Sequence, residues 1–386
     1  MDELANPYRP GAGTTPPALI GRDDLLQHFG VTIRRALDKR PGKSVMPIGL
    51  RGVGKTVLLN RFAEVAENEG FAVGLIEAPE TGNFPTLLAV RLRKILLGLD
   101  RGPVSRAVST ALRVLKSFTM TLPDGSTIQL DPEPLLGQAD SGVLSDDLTD
   151  LLVAAGEAAA DRHVGVLVAI DEVQYLTPDE LAAVIVAIHR TTQLDLPVVL
   201  VGAGLPQLPG LAGDAKSYAE RLFEFPGIGS LSPDDARAAL VIPASAQGVE
   251  FDDDALDAIV DASHGYPYFL QEWGYHVWNH ALGSPIRLGD VRAIAPLVQE
   301  SLDRDFFRVR LDRLTPKEKE YLGAMADLGP GPHRSGDIAA GLGVRVESVA
   351  PRRAGLIRKG MIYSPAHGDT AFTVPLFDEF LRRVMP

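Results

Sequence analysis

A chain of 386 residues, 45% of them hydrophobic, is long enough for two or three domains with cores of their own. A formal net charge of −12 argues against a nucleic-acid surface spread over the whole chain, and the absence of cysteine excludes disulfides and thiolate metal sites. The apolar runs are too short to span a bilayer, and the acidic N-terminus Met1–Tyr8 lacks the apolar core of a secretory signal, so a cytoplasmic protein without membrane contact is expected.

Residues 1–19, rich in Pro and Gly, read as an extended arm. A Gly21-Arg22 turn then leads into an amphipathic helix through about Lys39. Ser44–Ile48 is a short apolar strand candidate, and Val57–Val65 places Leu58, Leu59, Phe62 and Val65 on one helical face. Phe71–Glu77 reads as a second strand, followed by a helix over Pro85–Leu97. Residues 100–145 break this alternation. There Ser117–Asp131 alternates apolar and polar residues around Pro123-Asp124-Gly125, which predicts a hairpin inside an insertion. Such an insertion serves either as a passive flap or as an element for a protein partner or self-association.

A helix over Leu148–Ala160 precedes Val164–Ile170, a continuous apolar run of the kind buried in parallel sheets. Leu181–Thr191 is helical, and Leu196–Gly202 and Leu222–Phe225 supply two more strands. Five strands alternating with helices predict a parallel sheet covered on both faces, an αβα sandwich over residues 1–230. From Ser232 the strands stop, and helices over Asp234–Val241, Asp254–Ala262, Pro267–Ala281 and Leu288–Asp303 predict a helical domain over 231–312. Thr315-Pro-Lys-Glu318 has capping-box spacing with Pro at the first helical position. Helices at about 315–327, 335–341 and 345–359, with strands at Met361–Tyr363 and Ala371–Val374, predict a winged helix over 313–386.

The chemistry concentrates between the first strand and its helix. Gly49-Leu-Arg-Gly-Val-Gly-Lys-Thr56 has the G-x-x-x-x-G-K-[ST] pattern of a phosphate-cradling P-loop. A triphosphate is a dense cluster of anionic oxygens and needs many N–H donors facing one way. Gly49, Gly52 and Gly54 let the backbone curl close, and the start of a helix adds unpaired N–H groups and partial positive charge. The cradle comprises Gly49, Gly52, Val53, Gly54, Lys55, Thr56 and Val57, with Lys55 reaching the β- and γ-phosphates and the Thr56 hydroxyl ligating Mg²⁺.

The matching acids end the strand at Ile170. Asp171 is placed to hold the Mg²⁺ shell and Glu172 to polarise the attacking water. Arg221, just before the fifth strand, either reaches a neighbouring subunit's γ-phosphate or pairs with Glu220 or Glu224 on the surface. His276 and His280 lie one helical turn apart, but with no third ligand evident they read as packing or exposed residues. Residues 314–386 carry 10 Lys/Arg against 8 Asp/Glu, the reverse of the rest of the chain. Arg345, Arg352, Arg353, Arg358 and Lys359 are candidates for DNA phosphates and Ser348 for bases, unless the domain serves as a protein contact or brace.

Taken together, these motifs resemble the AAA+ superfamily, in particular its initiator clade of origin-recognition and cell-division-cycle ATPases, with the related archaeal-type STAND ATPases. The resemblance spans nearly the whole chain. It implies that Asn6-Pro-Tyr8 and Ile20-Gly21-Arg22 are adenine-contacting boxes, Gly49–Thr56 and Asp171-Glu172 the Walker A and B motifs, and Asp171-Glu-Val-Gln174 the D-E-x-Q variant of STAND-like families. It also implies that Gly265-Tyr-Pro267 is the lid G-x-P motif and that Arg221 stands where the family has an arginine finger or sensor. The function so implied is that of an ATP/ADP- and Mg²⁺-dependent switch ATPase, one that self-associates with nucleotide and engages DNA or a partner. Two departures favour slow turnover. Val201-Gly-Ala-Gly204 carries no polar sensor, leaving Gln207 as the nearest candidate, and the lid has Tyr268 after Pro267 with no evident sensor arginine.

Overall fold

In the computed structural model, residues 1–11, 13–80, 82–100, 105–122 and 133–385 are described. They form two compact units, each built from separate pieces of chain. One comprises Asp23–Ile48 and Leu58–Gly227, the other Met1–Arg22, Gly49–Val57 and Ile228–Pro386. Strands give way to helices after residue 230, and compactness groups the N-terminal arm and the glycine loop with the C-terminal part.

The first unit holds the expected five-stranded parallel sheet. Its strands are β1 (Ser44–Val45), β2 (Phe71–Glu77), β3 (Gly165–Asp171), β4 (Val198–Gly202) and β5 (Phe223–Glu224). β2, β3 and β4 pair in parallel, as do β1 and β5. Bridges from Ile48 to Gly204 and to Gly227 join the two ladders, giving the order β2-β3-β4-β1-β5. Every residue of β3 is buried, as a strand covered on both faces requires. β1 is shorter than its apolar run because Pro47 has no N–H to give the ladder; Ile48 resumes pairing by donating to the Pro226 carbonyl. Parallel strands put the C-terminal ends of β1 and β3 on one edge of the sheet, where ligands bind in open α/β folds.

Two expectations on the covering helices change. The helix expected from Leu181 begins at Pro178, because Thr177 and Glu180 form a reciprocal capping box with Pro at the first helical position. Ser117–Met120, expected as a hairpin arm, is the last turn of the helix Arg106–Met120. Val108, Ala111, Leu112, Leu115 and Phe118 recur at helical spacing and are buried, so the helical period overrides a brief alternation. The turn Pro123-Asp124-Gly125 and the second arm lie outside the described residues.

The second unit contains helices Pro233–Ser245, Asp253–Ser263, Pro267–His280 and Leu288–Ser301, as expected to within a few residues. The last continues through a π-helical stretch, Leu302–Arg308, to Leu311. Next come helix Pro316–Asp327, β6 (His333–Arg334), helices Ser335–Gly341 and Val346–Arg358, β7 (Ile362–Tyr363), β8 (Asp369–Phe372) and helix Phe377–Val384. β6 is additional to the expected strands; it completes an antiparallel sheet of order β6-β8-β7. Phe307 stacks on Phe380 at 5.2 Å, and Arg383 pairs with Asp303 at 2.6 Å, tying the two helical groups together. The arm is anchored rather than loose. The Tyr8 ring is buried against Gly274 with its hydroxyl donating to the Leu240 carbonyl, and the Asn6 amide donates to the Tyr275 carbonyl and to Asn279. Among the described residues no helix is long and apolar enough to cross a membrane.

Candidate nucleotide site

The loop Gly49–Thr56 runs into the start of a helix. Gly52 and Gly54 both sit at φ +90°, a conformation that side chains resist. A Cβ on Gly54 would point into open space, so the loop is concave there, whereas one on Gly52 would lie 3.1 Å from the Tyr266 ring and 3.3 Å from Tyr268 Cβ. Val53 and Val57 are buried beneath the loop. Helix Lys55–Asn68 begins at the loop's end, so the positive end of its dipole lies there. Lys55 is only 6% exposed, and its Nζ donates to the carbonyls of Gly49 at 3.0 Å and Leu50 at 2.9 Å. That folds the ammonium back over the loop.

The loop is held by its own unit. Tyr268 N donates to the Gly52 carbonyl, the Tyr266 hydroxyl to the Arg51 carbonyl, and Arg51 N to the Thr373 carbonyl just past β8. Tyr268 stacks on Phe306 at 4.5 Å, with the Arg310 guanidinium 4.1 Å over that ring. Burial and the neighbouring Arg51 lower Arg310 to about 10, and burial pushes the Tyr266 hydroxyl well above its usual range. Sequence reasoning missed this aromatic wall; the run Tyr266-Pro-Tyr268 was its visible sign. Of the other expected nucleotide contacts, Gly265 is left-handed at φ +63° against Leu231, and Pro267 opens its helix. Ile20 is half-buried, Gly21 faces the Asp235 carboxylate, and Arg22 donates to the carbonyls of Gly21 and Gly229.

In the sheet unit, Asp171 is buried at the end of β3 and accepts from Glu172 N at 2.8 Å through Oδ1. Glu172 adopts a left-handed conformation, φ 52° and ψ 40°, costing about 1 kcal/mol for a side chain of this kind. The loop after β4 offers no polar side chain until Gln207, which stands at the N-cap position of helix Leu208–Ala215 without a side-chain capping hydrogen bond. Arg221 lies on the short helix Ala219–Leu222 and is exposed, with no ion pair to Glu220 or Glu224 among the described residues. Glu224 pairs with His28 instead, at 2.9 Å.

The cationic residues of the C-terminal region divide into two kinds. Arg353 donates to Thr370 Oγ1, Ser364 Oγ and the Asp369 carbonyl, bracing helix Val346–Arg358 on the sheet. Lys359 Nζ donates to Glu318 at 2.7 Å. These two, expected at DNA phosphates, are occupied within their own domain. Arg345 is exposed beside Glu347, Ser348 donates to the Arg345 carbonyl, and Arg352 stands 3.9 Å from Glu320. His276 faces Glu272 at 3.5 Å, and His280 is exposed.

Residues 304–381 match a domain of unknown function, DUF8462. No curated protein matches the chain. Among solved structures, the Holliday junction branch migration motor RuvB of Thermotoga maritima is 16% identical, with 95% of this chain and 96% of that one covered and a TM-score of 0.47. Cdc6p from Pyrobaculum aerophilum is 16% identical over 99% and 97%, with a TM-score of 0.49. The Orc1 protein of Aeropyrum pernix, in complex with DNA, is 17% identical over 96% and 94%, with a TM-score of 0.47. The AAA ATPase domain family matches residues 18–201, a span that takes in both the glycine loop and the Asp171-Glu172 strand end.

Proposed function

We propose that the protein is a Mg²⁺-ATP-dependent switch ATPase of the initiator type whose nucleotide state controls self-association and the engagement of DNA or a partner. The loop geometry carries this reading: two glycines at φ +90° feed a helix whose first residue is a buried lysine folded over loop carbonyls. Backbone N–H groups of the loop would bind the phosphates, Lys55 would give up its two carbonyl partners for phosphate oxygens, and Thr56 and Asp171 would hold the metal. When bound, Mg²⁺ neutralises charge on the β- and γ-phosphates. Glu172 accepts a proton from the attacking water. A parent protein that binds a fluorescent ATP analogue in the presence of Mg²⁺ should lose about 30-fold in affinity on Lys55→Ala, since a charge-assisted hydrogen bond contributes roughly 2 kcal/mol. Absence of binding by the parent would sink the reading.

A second reading keeps the nucleotide but makes the C-terminal region a winged helix for protein contact, with slow hydrolysis. The commitment of Arg353 and Lys359 to their own domain favours it. DNA binding measured against salt separates the two readings. If DNA is a ligand, Arg345→Ala with Arg352→Ala should weaken binding about 10-fold and flatten the salt slope by about 2. Absence of salt-sensitive binding with or without ATP supports the protein-contact reading.

A further inference from the structure

Glu172 is restrained from two sides. Its own N–H donates to Asp171 Oδ1 at 2.8 Å, and its Oε2 accepts from Gln174 Nε2. Gln174 is in turn anchored, its Oε1 accepting from Leu205 N at 3.0 Å. Val173 N donates to the Ala203 carbonyl at 3.0 Å, so the turn after β3 is laced to the loop after β4 at two points. Gly204 allows this approach, because a Cβ there would lie 2.9 Å from Gln174 Oε1. The loop itself, Ala203-Gly204-Leu205-Pro206, has no polar side chain to offer Glu172. The polar link between the two strand ends is therefore supplied from the β3 side, by one amide that reads both a carboxylate and a backbone N–H.

We infer that Gln174 is a positioning residue for turnover: it fixes one oxygen of Glu172, leaves the other to meet water, and makes that placement depend on where the β4 loop stands. The inference rests on Glu172 being the base of the proposed reaction. Left-handed backbone at Glu172 aims the side chain, but two rotatable bonds beyond Cβ would let the carboxylate swing. The Gln174 amide removes that freedom. Any shift of Leu205 pulls on Gln174 Oε1 and so on Glu172, which makes the β4 loop an input to the rate without touching substrate.

Two substitutions separate the two bonds. Gln174→Glu keeps the shape and the acceptor for Leu205 N–H but loses the donor to Glu172. Gln174→Met keeps the bulk and loses both. Both should lower kcat at least 10-fold with the KM for ATP within twofold. Neither should add to the loss in a Glu172→Gln background. Turnover by Gln174→Glu within twofold of the parent overturns the inference, as does a further loss in the Glu172→Gln background. Normal turnover by Glu172→Gln alone would overturn the assignment of Glu172 as the base, on which the inference rests, an outcome that the Gln174 variants cannot mimic.

Discussion

Replacing Glu172 with glutamine should leave Mg²⁺-ATP binding intact and cut phosphate release by about 10³-fold, the middle of the range for removing a general base. The substitution is isosteric. Its amide oxygen can still accept from Gln174 Nε2, so the tie to the β4 loop survives. Glutamine tolerates the left-handed backbone at this position no worse than glutamate, and the side chain is not part of the core, so stability should change by less than about 0.5 kcal/mol. Only the capacity to take a proton is lost. Single-turnover phosphate release at saturating ATP, beside a binding titration, checks this. Turnover within threefold of the parent would remove Glu172 from the mechanism and leave Asp171 to be tested in its place.

Adding one methyl group at the start of the loop should be far more damaging than adding it near the end. A Cβ on Gly49 would lie 2.2 Å from the Ile228 carbonyl oxygen and 2.9 Å from Val53 Cγ2. The first is backbone and cannot rotate away. Gly49→Ala should cost about 3 kcal/mol, the upper end for overpacking, and lower the unfolding temperature by about 6–12 °C. A Cβ on Gly54 would meet nothing within 4 Å, but its φ of +90° is unfavourable for alanine. Gly54→Ala should therefore cost only about 1–2 kcal/mol in stability while blocking the concave face, so nucleotide affinity falls more than folding does. Differential scanning fluorimetry with and without ATP distinguishes the pair. Equal melting of both variants would contradict this placement of the loop.

The sheet was legible because its signals are local. β3 is an unbroken apolar run ending in acids, and β2 was placed to the residue by its own composition. Capping chemistry was legible at Thr315, where Glu318 closes the box, and overlooked at Thr177, where Glu180 closes the same box. The hairpin expectation failed at Ser117–Met120 because four alternating residues cannot compete with a helical stripe already established from Val108. The strand β6 is two residues long and exists only through pairing with β8, information that no window around His333 contains. At the candidate site, the residues of the glycine loop and of Asp171-Glu172 could be read from spacing. What spacing could not give was the company each residue keeps: Tyr266 and Tyr268 on the loop carbonyls, Gln174 on Glu172, and Arg353 and Lys359 turned inward. All but the Gln174–Glu172 bond, which joins residues two apart, are long-range pairings set by packing.

The phosphate loop occupies residues 49–57, yet its surroundings come from the far end of the chain: Ile228, Tyr266, Tyr268 and Thr373. During synthesis, the sheet unit has all its residues once Gly227 has emerged from the ribosome. The loop has been made long before then, but it waits, unwalled, until translation passes Thr373. A nascent chain halted after the sheet carries the full Gly49–Thr56 sequence without the groups that hold its shape.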